Sequence, residues 1–578
     1  MTPCFNLTEE SWIRVMTAEG RVETVTLSEA LTRAHAYRGL AGETPTQDVA
    51  MLRFLLAVLY AALFREPFDE PDEALDAWFE LWEAGRFPAE PIAAYLTQWH
   101  ERFWLFHEQW PFMQVASGRD GITMTNAADL AALDKPGKPA ARGVQRASKL
   151  NGAITEGGNK DNLFNIATGE DKSSLSLPDA ARWLIHVVGY DDGGIKPYYP
   201  KNTPMNRTDD LAKCSVSWLG NISSIQAEGD TLFETLMLNL VLLKDGKEDA
   251  PWPRQRPTWE YDAPHVVEMQ GISLPDNPAE LLTCLSRRIM LIRRDDRVLG
   301  FVRYVGEAFP KENASTEQWT LWIVPKAKKG AIAPPVPRTS RLPAQMWREM
   351  GALLVGQTDE KFIPGVVQWV SALSTLNNSP LHDRLCRFHY VKAQYDVAQS
   401  SNMTEVLDDS LTFSVGLLTE AGHAWVVLLQ EELNLYSRVA WQIGLLAEML
   451  MSAEGGKVCE GREKRTQTAL AQRTAAQERF FHALDQPFRL WLRDLRANDD
   501  SLTRDARVKN LRKTAKSLAL RCGQEMVSRV SPAAYSKRKK GEGEDHPTAP
   551  EAWLVYRRAI NKLMPLETEQ KEAGGVKA

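Results

Sequence analysis

Residues 48 to 64 read DVAMLRFLLAVLYAALF, apolar on nearly every side. A helix of that composition belongs inside a core rather than on a surface. Two flanking stretches also carry helical periodicity: SEALTRAHAYRGL, with Ser28 in the capping position, and PDEALDAWFELWEAGRF at 71–87. FHEQWPFMQV at 106–115 predicts a helix ending at Gln109, followed by a buried aromatic segment at Trp110–Met113. The periodicity then fades. Residues 115–230 are rich in Gly, Asn, Asp and Ser, with long loops around one short helix, PDAARWLIHVV. RIMLIRRDDRVLGFVRYV predicts a hairpin turning at Asp295-Asp296, and QWTLWIV predicts a further strand. AQMWREMGALLVG reads helical. From about residue 405 the pattern is helical throughout, with four long segments at 415–453, 463–497, 502–530 and 548–564. Short polar connections between such segments predict a four-helix bundle.

The expected fold class is α+β: a large mixed N-terminal domain over 1–405, followed by an all-α bundle over 406–578. A chain of 578 residues is too long for one ordinary core, which agrees with this division. A hydrophobic content of 44% and a charged content of 25% are those of a globular protein. With no signal peptide and no apolar run of spanning length read in the sequence, a cytoplasmic location and no membrane partner are expected. The six cysteines are scattered singly, so neither a disulfide framework nor a Cys-rich zinc site is expected.

The net charge of −6 conceals a basic block. Residues 501–540 hold Arg504, Arg507, Lys509, Arg512, Lys513, Lys516, Arg521, Arg529 and the run Lys537-Arg538-Lys539-Lys540, against only Asp505 and Glu525. Such a block fits a polyanionic partner or a solvated helix face equally well.

Catalytic motifs are scarce. His107-Glu108 begins like the H-E-x-x-H of a zinc hydrolase, but the fifth position is Pro111, which supplies no ligand and breaks a helix. His382, Cys386 and His389 would share one face of a helix, yet no fourth metal ligand lies nearby. Neither a phosphate-binding Walker loop nor a G-x-S-x-G elbow is present. No metal, cofactor or catalytic residue is assigned.

FNLTEESWIRV, HEQWPFMQ, QYDVAQSSNMTEV and AQERFFHALDQPF, in this order and spacing, resemble the CasA family, the large subunit of the type I-E CRISPR surveillance complex Cascade. The resemblance runs over most of the chain and is weakest between 115 and 340. It implies a non-catalytic, RNA-guided role: recognition of a short protospacer-adjacent motif (PAM) in double-stranded DNA, help in opening the duplex, and recruitment of a helicase-nuclease. The implied partners are target DNA, guide RNA, the other Cascade subunits and that nuclease. A stand-alone metal-dependent nuclease and a helical scaffold without DNA contact are the alternatives.

The resemblance also implies site residues. Gln399, flanked by the small Ala398 and Ser400, matches a glutamine wedge inserted where the duplex splits. Its amide offers both donor and acceptor. Gly193 and Gly194 match a glycine loop that approaches the minor groove, although the neighbouring Asp191 and Asp192 would repel phosphate, and a plain turn is the other reading. Lys326, Lys328 and Lys329 match a basic loop, and Lys311 a PAM-contacting lysine. Lys537, Arg538, Lys539 and Lys540 are candidates for the DNA backbone, and Phe164 for docking to guide RNA or neighbouring subunits.

Overall fold

The computed structural model describes residues 3–116, 144–153, 173–197, 211–244, 249–262, 274–312, 314–325, 333–338, 345–354, 363–376, 379–396, 403–460, 464–539 and 545–565. The chain divides into two compact units. One comprises Met1–Leu342, Gly356–Leu376 and Cys386–Ser410; the other comprises Pro343–Val355, Asn377–Leu385 and Leu411–Ala578.

The first unit is built round the helix α1, Pro45–Leu63, which starts at a Thr44 cap with proline in its first turn. Its length and hydropathy would suit a membrane, but 83% of the span is buried within the protein. Arg53 of α1 is buried and forms a two-pronged ion pair with Glu317 at 2.8 and 3.1 Å. Trp218 Nε1 also donates to Glu317, at 2.7 Å. Helix α2, Pro71–Ala84, follows and ends at Gly85, whose φ of 64° suits a glycine stop.

The predicted capping position at Ser28 is corrected. Thr26 caps the helix Leu27–Thr32 through a reciprocal box with Glu29, and Ser28 lies inside the first turn. The FHEQ stretch is likewise not the end of a helix. A single 3-10 turn at His100–Arg102 leads into a strand, Trp104–Phe106, paired with Cys4–Asn6. His107 Nδ1 then accepts from the backbone N–H groups of Gln109 and Trp110, closing a local turn that competes with helix. Phe112 enters the core and stacks on Phe103 at 5.2 Å, whereas Trp110 stays half-buried under Arg102.

Helix α3, Leu177–Tyr190, leads through a corner into a small antiparallel pair, β1 (Gly194–Pro197) and β2 (Leu211–Cys214). Strand β3, Ser224–Glu228, comes next. The expected hairpin is present as β4 (Arg287–Arg294) and β5 (Arg297–Val305), with Asp295 at a φ of 54° in the turn. The QWTLWIV strand shrinks to β6, Trp322–Ile323, paired with β7, Val336–Pro337. The longest strands are β8, Leu385–Tyr395, and β9, Met403–Ser414. They make a sheet in the order β3-β8-β9. The chain is therefore not helical from 405: β9 runs on to Ser414, and long helix begins only at His423.

The helical region of the second unit contains α4 (His423–Ala453), α5 (Gln467–Asp494), α6 (Ser501–Ser528) and α7 (Ala549–Leu563). Thr466, Asp500 and Thr548 cap the last three, which explains why the polar connections mark their starts so well. Trp347 stacks on Phe488 at 4.3 Å, and Trp425 meets Trp491 edge-on. A fully buried Glu432 on α4 accepts from Tyr436 on its own helix and from Arg512 on α6.

Candidate nucleic-acid interface

Strands β8 and β9 form the two arms of a hairpin. Across it, His389 Nε2 lies 2.6 Å from Asp408, and Thr404 Oγ1 donates to the carbonyl of Gln394 at 3.3 Å. The connection covers 396–402, so Gln399 is its middle residue. Ala398, Gln399 and Ser400 lie outside the described residues.

Three side chains of β8 tie the hairpin down. His389 also reaches Glu228 of β3 at 2.9 Å. Burial alone would lower the His389 pKa, but the hydrogen bonds to Asp408 and Glu228 reverse that and hold it at about 9. The imidazole is therefore a cation between two carboxylates. Lys392 is buried and donates to the carbonyls of Gly220 and Ile222 at 3.1 and 2.8 Å. Burial, with the charge of Lys311 adding to it, pushes its pKa down to about 7. Tyr395, the last residue of β8, donates its hydroxyl to the carbonyl of Tyr190 at 2.7 Å.

Tyr190 ends α3, and the next residues are the glycine corner. Asp191 is buried among three cations: Arg287 Nε at 2.6 Å, Lys196 Nζ at 3.3 Å, and Arg303. Burial alone would raise its pKa, but the three cations outweigh burial and hold the carboxyl well below the usual range. The backbone is held by the same groups. Arg287 donates to the carbonyls of Asp192 and Ser215, and Lys196 to those of Asp192 and Gly193. The expected repulsion between Asp191 and phosphate is corrected, because the Asp191 charge is turned inward and neutralised there. Gly193 is buried, whereas Gly194 is partly exposed at a φ of 111°, a conformation L side chains rarely adopt.

Lys311 is half-buried, and burial lowers its pKa. Lys326, Lys328 and Lys329 lie outside the described residues, in the connection between β6 and β7. Both of these strands root beside β3: Ile225 N donates to Trp319 O, Leu321 N to Ser223 O, and Ser223 Oγ to Arg338 O. The hairpin connection, the glycine corner, Lys311 and the β6–β7 connection thus all spring from the surroundings of β3 and β8.

The other candidates are not brought into that group. Phe164 and Lys540 lie outside the described residues. Lys537 is exposed, and Arg538 and Lys539 fall in a two-residue strand opposite His546 and Asp545. The basic block divides into two kinds. Arg512 binds Glu432, Arg507 lies 3.4 Å from Asp499, and Lys516 is buried, while Lys513, Arg521 and Arg529 are exposed.

The His382, Cys386 and His389 trio does not converge. The helix that would align them is replaced by β8, on which Cys386 and His389 point to opposite faces. His382 sits exposed in the preceding turn. Among the described residues no group of three His, Cys, Asp or Glu could hold a metal ion. Sequence reasoning missed Asp191 as an anchor and passed over His389 as an ion-pair partner, Lys392 and Tyr395. Only Lys392 carried a signal, because it continues the inward-facing positions Cys386, Phe388 and Tyr390 of β8.

The fold defines a class: an α+β unit with polar loops carried on anchored hairpins, and a helical C-terminal region. Residues 6–522 match the family model described as CRISPR-associated protein Cse1, and the chain belongs to that family. It is 31% identical over 271 residues to the CRISPR-associated protein CasA/Cse1 of Thermus thermophilus, covering 46% of this chain and 44% of that relative. The match therefore spans less than half of the curated relative's length. Cse1 from Thermobifida fusca superposes with a TM-score of 0.77 at 27% identity, over 97% of this chain and 98% of that one. A chain of a CRISPR RNA-guided surveillance complex shares the fold, with a TM-score of 0.60 at 16% identity, over 97% of this chain and 99% of that one.

Proposed function

We propose that this protein is the non-catalytic large subunit of a type I-E Cascade complex, assembled with guide RNA and the other subunits. It reads the flanking motif of double-stranded DNA, helps part the strands and recruits the helicase-nuclease. Family membership supports the class. The observation that carries the DNA reading is the junction of two candidate elements: the root of the Gln399 hairpin is hydrogen-bonded to the helix end that leads into Gly194. Loops do such work best on rigid supports.

In this reading Gln399 occupies the split in the duplex, and Ala398 and Ser400 let the backbone approach. Gly194 meets the minor groove, with Gly193 as its backbone support. Lys311, Lys326, Lys328 and Lys329 neutralise phosphates, as do Lys537, Arg538, Lys539 and Lys540 on the second unit. Phe164 docks against guide RNA or a neighbouring subunit.

The test uses complex assembled with guide RNA and duplexes that differ only in the flanking motif. Gln399→Ala is expected to slow strand opening on the preferred motif. Reversing the charge of Lys328 and Lys329 is expected to weaken binding at moderate salt. Opening at the parental rate by Gln399→Ala would remove the wedge, and undiminished binding would remove the basic loop.

A further inference from the structure

The hydroxyl of Tyr395 joins the far end of β8 to the glycine corner, and its surroundings are built for that bond. The carbonyl it meets belongs to the last residue of α3, where helix carbonyls lack a partner within the helix. Its ring lies against the 3-10 turn Trp218–Asn221 at Gly220. A Cβ at Gly220 would come within 2.8 Å of the hydroxyl oxygen and 2.9 Å of ring carbon Cε2. The same turn receives Lys392 on the Gly220 carbonyl, so β8 grips it at two points. On the other side of the bond, the corner is immobilised by Asp191 and its three cations.

We propose that Tyr395 is a positioning residue that couples the two DNA-facing elements, so that a duplex held at the Gly194 corner meets the hairpin connection in fixed register. The inference rests on the reading of Gln399 and Gly194 given above. Its physical basis is pre-organisation. With the bond in place, contact at the corner sets the position of the hairpin. Without it, the end of β8 keeps its strand ladder and the Lys392 anchor, but contact at the corner no longer sets the position of Tyr395. The corner keeps its Asp191 anchor either way, so initial binding is spared.

Two variants address the link from opposite sides. Tyr395→Phe removes only the hydroxyl. Gly220→Ala keeps the hydroxyl but pushes the ring away. Both are assembled into guide-RNA-loaded complex beside Gln399→Ala. Affinity is measured on a duplex bearing the flanking motif but no match to the guide, and opening is followed by a fluorescent base analogue in a matched duplex. The expected result is affinity within about twofold of the parent and opening slowed about tenfold in both variants, on the scale of one lost hydrogen bond. The double variant should be no slower than either single one. Opening at the parental rate in Tyr395→Phe while Gln399→Ala is slow overturns the coupling and leaves the wedge standing. Parental opening in Gln399→Ala overturns the wedge itself. Affinity and opening falling in proportion in Tyr395→Phe also overturns the coupling, because that pattern marks a merely structural residue.

Discussion

Two groups of basic side chains in this protein live under opposite conditions. Arg287, Arg303 and Lys196 are gathered in the first unit around one carboxylate, Asp191, and Arg287 and Lys196 also donate to backbone carbonyls of the glycine corner. Lys513, Arg521 and Arg529 stand in solvent at the surface of the second unit. The buried group serves geometry: its charge is balanced internally and it fixes a backbone. The exposed group faces solvent, where a polyanion can reach it. A count of lysines and arginines cannot separate these uses, because what differs is the partner.

The largest expected effect breaks the buried group. Asp191→Asn removes the carboxylate shared by the buried Arg287 and Lys196 and the half-buried Arg303, and leaves Asp192, 3.6 Å from Arg303, as the nearest counter-ion. Removing one member of a buried ion cluster costs about 3–5 kcal/mol, far more than the intact cluster is worth against an apolar replacement. Denaturant unfolding of the full chain should show a loss on this scale. A loss below about 1 kcal/mol, the scale of an exposed ion pair, would mean that the corner is not anchored as described.

A second prediction sharpens the comparison through pH. His389 is a cation shared by Asp408 and Glu228, with Asp48 of α1 also within its field. Its pKa rises from 6.5 to about 9 on folding. A raised pKa means that the folded state holds the proton more tightly. The clasp is therefore complete below about pH 6.5 and fades as pH climbs through 9. Its full value is at most about 3–4 kcal/mol, because each tenfold gain in proton affinity on folding is worth about 1.36 kcal/mol. The melting-temperature gap between the parent and His389→Gln should be widest near pH 6 and close toward pH 10. Lys392 tilts the parent curve the other way, because its depressed pKa makes stability rise between 7 and its ordinary 10.5. That slope is common to both proteins and drops out of the difference. A gap independent of pH would show that His389 packs rather than pairs.

How much of this was legible follows from the same contrast. The bundle was readable because its signals are local: an apolar period, and Thr466, Asp500 and Thr548 standing three residues before the backbone N–H groups they cap. The core helix α1 was readable from its all-round apolar face. The site was not. Asp191 finds Arg287 and Arg303 across 96 and 112 positions, and Tyr395 finds Tyr190 across 205. No period or spacing encodes such meetings. Asp191 looked like a repulsive neighbour because the sequence shows its charge and conceals its counter-ions. The trio at 382, 386 and 389 looked like a helix face because the alternation of β8 is hard to tell from helical spacing over so short a run. The Gln399 connection was singled out only through resemblance to a family. By composition it is one polar loop among several.

The smallest expected effect on stability carries the most information about the exposed group. Lys513→Glu with Arg521→Glu removes two exposed cations of α6, and surface changes of this kind move stability by no more than about 0.5 kcal/mol each. If this face meets nucleic acid, the change must appear elsewhere, in the salt dependence of binding. Each phosphate contact contributes about 0.9 to the slope of log affinity against log salt on duplex DNA, and about 0.7 on single strands. Assembled complex carrying both substitutions should therefore show a slope shallower by about 1 to 2, with unfolding unchanged. A parental slope would return α6 to the reading of a solvated helix face. Lost stability would mean that these side chains, like Arg512 on Glu432, hold the bundle together and belong with the buried group.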